Sequence, residues 1–367
     1  MSDLVNLIVD VHDARWSEEV DSSARRAIAT LGLRLGPSDE RTLAWIDAEF
    51  GGGWSREVFL GDAIVAFDDD EPVGFAAFDA RTLSYAWLRG VARDPGVGLF
   101  GPVGVASAYR GGNLGKALVA LAILALRSRG YSRALIAAAS EGRLARYYER
   151  TIGARVIERF PRDQILGRKL RTVILASGNG SNAQAVIDAV APGDLALDIV
   201  GIVANRADAY VLERARAASL PTNVLLWNRS DESRERYDDR LLDAVRSWEP
   251  ELVLLLGWMY LLSPTFIAAF PRMLNIHPAF LPHDARKDTV TMPDGVVIPA
   301  FRGAHAVRDA QAASSPWIGA SVHRVTAQTD RGDVLVRSPL RMSDHARLPL
   351  VEHEILLRAI RLFLFAS

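Results

Sequence analysis

The chain has 367 residues, 49% hydrophobic and 24% charged, a balance that excludes a disordered or fibrous protein and favours two globular domains over one. Lys and Arg number 43 against 44 Asp and Glu, so no global field draws the chain to nucleic acid or to an anionic membrane. Cysteine is absent, which excludes disulfides, thiolate metal sites and a cysteine nucleophile; no metal is expected at all.

The start, MSDLVNLIVDVHDARW, carries acidic residues early and lacks the basic and apolar regions of a signal peptide, which points to the cytoplasm. Runs such as Leu252 to Leu256 are too short to span a bilayer and read as buried strands. Further along, AIVAF and VGFAAFDA flank the acidic turn Asp68 to Glu71 and read as a hairpin, followed by the strand GLFGPVGVA. Arg110-Gly111-Gly112-Asn113-Leu114-Gly115 then opens a helix in which Leu114, Leu118, Leu121, Ala122 and Ala125 recur at helical spacing. Glycines and the start of a helix leave N–H groups free to hold a pyrophosphate, although a Gly-rich turn of this kind is as often only a tight turn.

The order strand, Arg-x-x-x-x-Gly loop, amphipathic helix, strand ALIAAA, then Tyr147-Tyr148-Glu149-Arg150 and Gly153-Ala154, resembles the GNAT acyl-CoA N-acyltransferases over roughly residues 55 to 160. The resemblance implies that Val105, Arg110, Gly111, Gly112, Asn113 and Gly115 hold acetyl-CoA or another acyl-CoA. It also implies that Tyr148 protonates the departing thiolate, with a tyrosine that merely packs the core as the alternative. Asn113 stands where the family has glycine, and no general base is distinguished by spacing.

Residues 160 to 171, FPRDQILGRKLR, break the apolar periodicity with charge and mark the boundary between domains 1–165 and 170–367. From Thr172 strands and helices alternate: TVILA, a helix from Asn182 to Val190, LDIVGIVAN, VLERARAA, a helix around Tyr237 to Trp248, and ELVLLL. Wholly apolar strands in this alternation argue for an α/β fold with a Rossmann-like parallel sheet whose ligands sit at the strands' carboxyl ends. Three groups of residues fall there. Gly178, Asn179, Gly180, Ser181 and Asn182 open a helix and suit either an anion or an ordinary helix cap. Trp258, Met259, Leu261 and Leu262 follow a strand and form either an apolar clamp for a flat heterocycle or core. Asn275 and His277 share one face of a strand, and Asp330 lies beyond a later one; an amide, an imidazole and a carboxylate can stabilise an oxyanion and move a proton.

SGNGSN, ANRADAYVLERA, SRERYDDRL, LLGWMYLLSPTF, NIHPAFLP, FRGAHAVRDA and GASVHRVTAQTDRGDVLV follow one another as in glycinamide ribonucleotide formyltransferase, a folate-dependent formyltransferase family. The resemblance covers nearly all of residues 172 to 337. It implies formyl transfer from 10-formyltetrahydrofolate to a primary amine without metal. By matching position, Asn275 would bind the oxyanion, His277 would shuttle protons and Asp330 would pair with His277. Met259, Leu261 and Leu262 would hold the pterin and Arg234 the folate tail. Gly178 to Asn182 and Glu352 would meet the amine substrate, with His305 and His323 as support.

Two departures are plain: HDARKDTVTMPDGVVIPA is inserted between Pro282 and Phe301, and Pro349 replaces a phosphate-binding lysine. A bifunctional cytoplasmic enzyme acting on small amines is therefore expected, with neither nucleic acid nor membrane as partner. The alternative is a purine-pathway formyltransferase whose N-terminal domain senses coenzyme A or is structural. Oligomeric state is not read from the sequence.

Overall fold

The computed structural model describes residues 3–80, 94–160 and 168–365. Two compact units divide the chain: Met1–Leu166 with Pro293–Gly295 and Phe365–Ser367, and Gly167–Met292 with Val296–Leu364. The charged segment read as the boundary lies mostly outside the described residues, from 161 to 167.

The first unit runs β1 (Leu4–Asp10), α1 (Glu18–Thr30), β2 (Arg34–Pro37), α2 (Glu40–Glu49), α3 (Trp54–Leu60), β3 (Asp62–Asp68), β4 (Glu71–Phe78), β5 (Val97–Val105), α4 (Leu114–Ser128), β6 (Arg133–Ser140), α5 (Arg143–Ile152) and β7 (Arg155–Phe160). Its strands form one sheet in the order β2-β3-β4-β5-β6-β1-β7. The acidic turn joins β3 to β4 as expected, with Asp69 taking the left-handed conformation (φ 51) that a short polar side chain tolerates. β5 and β6 pair in parallel from Val97 with Arg133 to Phe100 with Ile136, while β5 continues alongside β4 as far as Val105. That parallel pair needs a crossover, and α4 supplies it; its Leu114 and Leu118 are fully buried, each contributing about 2 kcal/mol of apolar transfer.

The second unit runs β8 (Leu170–Ala176), α6 (Ser181–Val190), β9 (Leu197–Ala204), α7 (Val211–Ala217), β10 (Thr222–Val224), α8 (Arg234–Arg246), β11 (Leu252–Leu255), α9 (Pro264–Ala269), β12 (Met273–His277), β13 (Thr289–Thr291), β14 (Val297–Pro299), α10 (Ala306–Ala312), β15 (Trp317–Arg324), β16 (Val334–Arg341) and α11 (Leu348–Phe365). The sheet order is β10-β9-β8-β11-β12-β15-β16, with β13 and β14 forming a separate hairpin. The five strands through β12 are parallel, as their unbroken apolar runs require.

β15 and β16 run antiparallel to their neighbours, so the sheet is mixed rather than wholly parallel. The chain reaches β15 through the β13–β14 hairpin and the seven-residue α10, and β15 pairs with β12 in the opposite direction. Register places Leu175 beside Leu255 and Leu255 beside Asn275, so the carboxyl ends of β8 and β11 are level with Asn275.

Candidate functional site

β12 positions the central residues. Its alternation puts Asn275 and His277 on one face, and Asn275 is the cross-strand partner of His323 on β15. β15 leaves the sheet beside Met273, where the Val325 N–H donates to the Met273 carbonyl at 3.2 Å, and the following loop folds back to deliver Asp330. Asp330 therefore arrives from a loop that turns back over the sheet, not from the end of a further parallel strand. Its backbone is left-handed (φ 52), a conformation that costs a residue with a β-carbon about 1–2 kcal/mol and persists only where its surroundings hold it.

The three side chains converge. His277 Nδ1 lies 3.5 Å from Asp330 Oδ2, and Asn275 Nδ2 lies 3.5 Å from Asp330 Oδ1. His323 Nε2 sits 3.1 Å from Asn275 Nδ2 and 3.4 Å from Asp330 Oδ1, while its Nδ1 faces the Arg324 carbonyl at 2.8 Å. His323 thus donates from Nδ1 to the Arg324 carbonyl and turns Nε2 toward both Asn275 and Asp330. Both Asn275 N–H bonds are engaged within the cluster; the longer contact, to Asp330, is the one that can yield to a carbonyl oxygen.

Burial opposes ionisation of Asp330, but His323, His277 and the Gly303 N–H, which donates to Oδ2 at 2.7 Å, outweigh it and hold the carboxyl at about 2. Burial also lowers the pKa of His277, more than Asp330 and the Phe301 carbonyl raise it. At neutral pH the pair is thus carboxylate and neutral imidazole. His277 Nε2 is 2.7 Å from the Phe301 carbonyl, so the neutral ring donates there and keeps its lone pair on Nδ1.

The turn after β12 is fixed from below. Ser321 donates to the Ala279 carbonyl at 2.8 Å and accepts from the Leu281 N–H, and buried Arg337 donates to the Leu281 carbonyl at 2.7 Å while stacking on Phe280. The Phe301 carbonyl, the Gly303 N–H and Ser321 were not singled out from the sequence, because two act through backbone atoms and the third through register. His305 caps α10 exposed and stands outside the cluster, whereas His323 is inside it.

At the end of β8, Gly180 (φ 74) starts α6, and a β-carbon there would meet Val211 at 2.6 Å. Arg214 braces the loop by donating to the Asn179 carbonyl at 2.9 Å and side chain at 3.0 Å. Asn182 Nδ2 donates to Glu352 at 3.2 Å, while its buried Oδ1 has no partner among the described residues. Burial raises the Glu352 carboxyl against that bond. Gly178 accepts from the Val211 N–H, and Pro349 lies exposed in the first turn of α11.

The apolar lip after β11 is present: Met259 is 51% and Leu261 67% exposed, while Leu262 packs partly against the core. The Met259 N–H donates to Ser177 at 3.0 Å, and the buried Trp258 indole N–H has no partner among the described residues. Arg234, read as the folate-tail contact, is partly exposed and has partners within the protein. It donates to Asp238 at 2.8 Å and to the Leu261 carbonyl, and its guanidinium lies against Trp227, Tyr237 and Tyr260.

In the first unit, Gly111 (φ 86), Gly112 and Asn113 are exposed ahead of α4. Asn113 has φ −91, so the left-handed position is Gly111 and asparagine is tolerated without strain. Arg110 donates to the Val105 carbonyl at 2.9 Å and approaches Glu49 at 3.7 Å; a β-carbon on Gly115 would only touch Val105. Tyr148 is buried edge-on to Phe100, and burial, with Tyr147 beside it, pushes its phenol up to about 12. One carboxylate that spacing did not single out is set apart by its surroundings: burial pushes Glu57 on α3 up to about 8 against nearby Arg56, although the residue keeps some contact with solvent. Among the described residues no group of three or more His, Asp and Glu is placed to hold a metal, and no helix is long and apolar enough to cross a membrane.

Comparison with known proteins agrees with this division. The formyl transferase family model matches residues 170–285, and the acetyltransferase (GNAT) family model matches residues 34–154. Phosphoribosylglycinamide formyltransferase of Escherichia coli K12 is 36% identical over 194 residues, covering 51% of this chain and 83% of that protein. The Schizosaccharomyces pombe protein of the same name is 34% identical over 211 residues, covering 51% and 94%. A solved glycinamide ribonucleotide transformylase 1 from Symbiobacterium toebii is 32% identical, covering 54% of this chain and 89% of that one with a TM-score of 0.47. The chain thus belongs to the formyltransferase family through its C-terminal half, and carries a GNAT-family acetyltransferase domain ahead of it.

Proposed function

We propose that the C-terminal unit transfers a formyl group from 10-formyltetrahydrofolate to a primary amine, with His277 and Asp330 as its acid–base pair. The carrying observation is the convergence of Asn275, His277 and Asp330, with both His277 ring nitrogens facing acceptors. The exposed Met259 and Leu261, beside the unpartnered indole N–H of Trp258, suit an apolar heterocycle bearing an acceptor. When bound there, the folate supplies an activated formyl group on nitrogen.

His277 Nδ1 takes a proton from the amine as its nitrogen bonds to the formyl carbon, and the resulting imidazolium donates to both Asp330 and the Phe301 carbonyl. Asn275 releases its long contact with Asp330 to donate to the formyl oxygen as negative charge develops. His277 then returns the proton to the folate nitrogen as the bond to the formyl carbon breaks.

The braced loop Gly178 to Asn182 and Glu352 line the amine side in this reading. The inserted hairpin and Pro349 favour an amine other than glycinamide ribonucleotide. Tetrahydrofolate release is measured with glycinamide ribonucleotide and with a panel of primary amines. Release on another amine, lost in His277→Ala, supports the reading; release on glycinamide ribonucleotide alone transfers it to purine synthesis; none on any amine overturns it.

For the N-terminal unit we propose acyl-CoA binding at Arg110 to Gly115, with Asn113, Gly111 and Gly112 presenting the first turn of α4. Acetyl transfer from acetyl-CoA to an amine is the fuller reading, with Tyr148 as proton donor. A coenzyme A-sensing role is favoured by one observation: the Tyr148 ring is buried edge-on to Phe100, as in a tyrosine that packs the core. Acetyl-CoA titration with thiol detection across amines separates the two, since the sensor binds without releasing thiol.

A further inference from the structure

The insertion between Pro282 and Phe301 meets the loop that carries Asp330, and its contacts define a task for it. Ala300 N–H donates to the Asp288 carbonyl at 2.8 Å, closing the base of the insertion so that the backbone groups of Phe301 and Gly303 follow at once. Arg302, 13% exposed, reaches three ways: Nη1 to Asp288 Oδ1 at 3.1 Å, Nη2 to the Lys287 carbonyl at 2.8 Å and Nε to the Asp330 carbonyl at 3.2 Å. Arg331, the residue after Asp330, donates to the Ala285 carbonyl at 2.7 Å and to the same Asp288 oxygen.

A single carboxylate thus gathers two guanidiniums that flank a residue with a left-handed backbone. The two cations repel each other, and burial, with Arg331 adding to it, lowers the pKa of Arg302. Asp288 offsets that repulsion. As an exposed ion pair it would contribute little to stability, but what is required of it is orientation: with both arginines held, Asp330 keeps its strained backbone and aims its carboxylate at His277 and the Gly303 N–H.

We propose that Asp288, contributed by the insertion, is a positioning residue for formyl transfer, bridging Arg302 and Arg331 so that Asp330 stays aligned on His277. The inference rests on the reading of His277 and Asp330 as the acid–base pair, and the experiment separates the two. The full chain is compared with Asp288→Ala, Asp288→Asn and Asp288→Glu for tetrahydrofolate release with 10-formyltetrahydrofolate and glycinamide ribonucleotide or the best amine of the panel. The Gly303 amide proton, which reports on ionisation of Asp330, is followed in parallel by NMR as pH is lowered.

In Asp288→Ala the turnover number is expected to fall about 10- to 100-fold with the folate KM within about twofold, since alignment and not binding is lost. The Gly303 titration is expected to move up by about one pH unit as the carboxylate leaves its donors. Asp288→Glu is expected to restore both, and Asp288→Asn to fall between. A Gly303 titration unchanged in a folded Asp288→Ala or Asp288→Asn protein overturns the proposal, as does failure of glutamate to rescue. If His277→Ala keeps its activity, the acid–base reading fails instead, and the Gly303 titration still decides whether Asp288 positions Asp330.

Discussion

Each half of the chain places a glycine-rich loop between a strand and a helix, yet the two loops are built differently. Around Gly180 the glycine is demanded by packing, because Val211 fills the space of a side chain, and Arg214 and Glu352 tie down the neighbouring asparagines. Around Gly111 nothing lies within 4 Å of where a β-carbon would sit, and the loop lies open to solvent ahead of α4. The first loop is braced by side chains from α7 and α11; the second has no such brace. Similar sequence signals thus accompany a tightly packed loop in one unit and an open one in the other.

The largest effect that could break this contrast is chemical. His277→Ala should lower formyl transfer about 10³-fold, the range of a general acid–base group, while Tyr148→Phe leaves it unchanged; steady-state tetrahydrofolate release checks both. Next, Gly180→Ala should cost about 3 kcal/mol of stability, from left-handed strain plus the clash with Val211, read as a shift in denaturant midpoint. Gly111→Ala has the strain without the clash and should cost about 1 kcal/mol. Equal losses at the two positions would erase the distinction between packed and open loops.

Acid sharpens the contrast from the side of electrostatics. The Asp330 carboxyl sits at about 2 in the folded protein, below the roughly 3.9 of an unfolded chain, so its stabilising contribution is complete above pH 4 and is lost as pH falls toward 2. The shift corresponds to about 2 kcal/mol, and Asp330→Asn should flatten that part of the stability profile measured by chemical denaturation. His277, lowered by burial, should give formyl transfer an acid limb below pH 6.5, because only the neutral ring accepts the amine proton. The smallest effect is expected at Tyr148→Phe, within about 1 kcal/mol of stability and with acetyl-CoA affinity retained, since ring burial and not the hydroxyl dominates that position.

Much of this was legible in one dimension. The apolar runs of β8, β9 and β11 read as buried strands and are so. Asn275 and His277 share a face because a strand repeats every two residues. What was not legible rests on partners distant in sequence. Arg234 donates to the Leu261 carbonyl and lies against Tyr260, contacts that only folding brings together. The antiparallel direction of β15 and β16 is set by strand pairing across the sheet, and the contacts of the insertion by Asp288 meeting Arg302 and Arg331.

By itself the sequence determined the alternation of strands and helices, the two family signatures and the identity of the amide, imidazole and carboxylate, because periodicity and motif are local properties of the chain. Only the tertiary structure decided which acceptor each His277 nitrogen faces, how Asp330 is held ionised, and what the insertion touches. Those answers hang on the Phe301 carbonyl, the Gly303 N–H and paired guanidiniums, whose positions are set by backbone geometry and burial rather than by residue type.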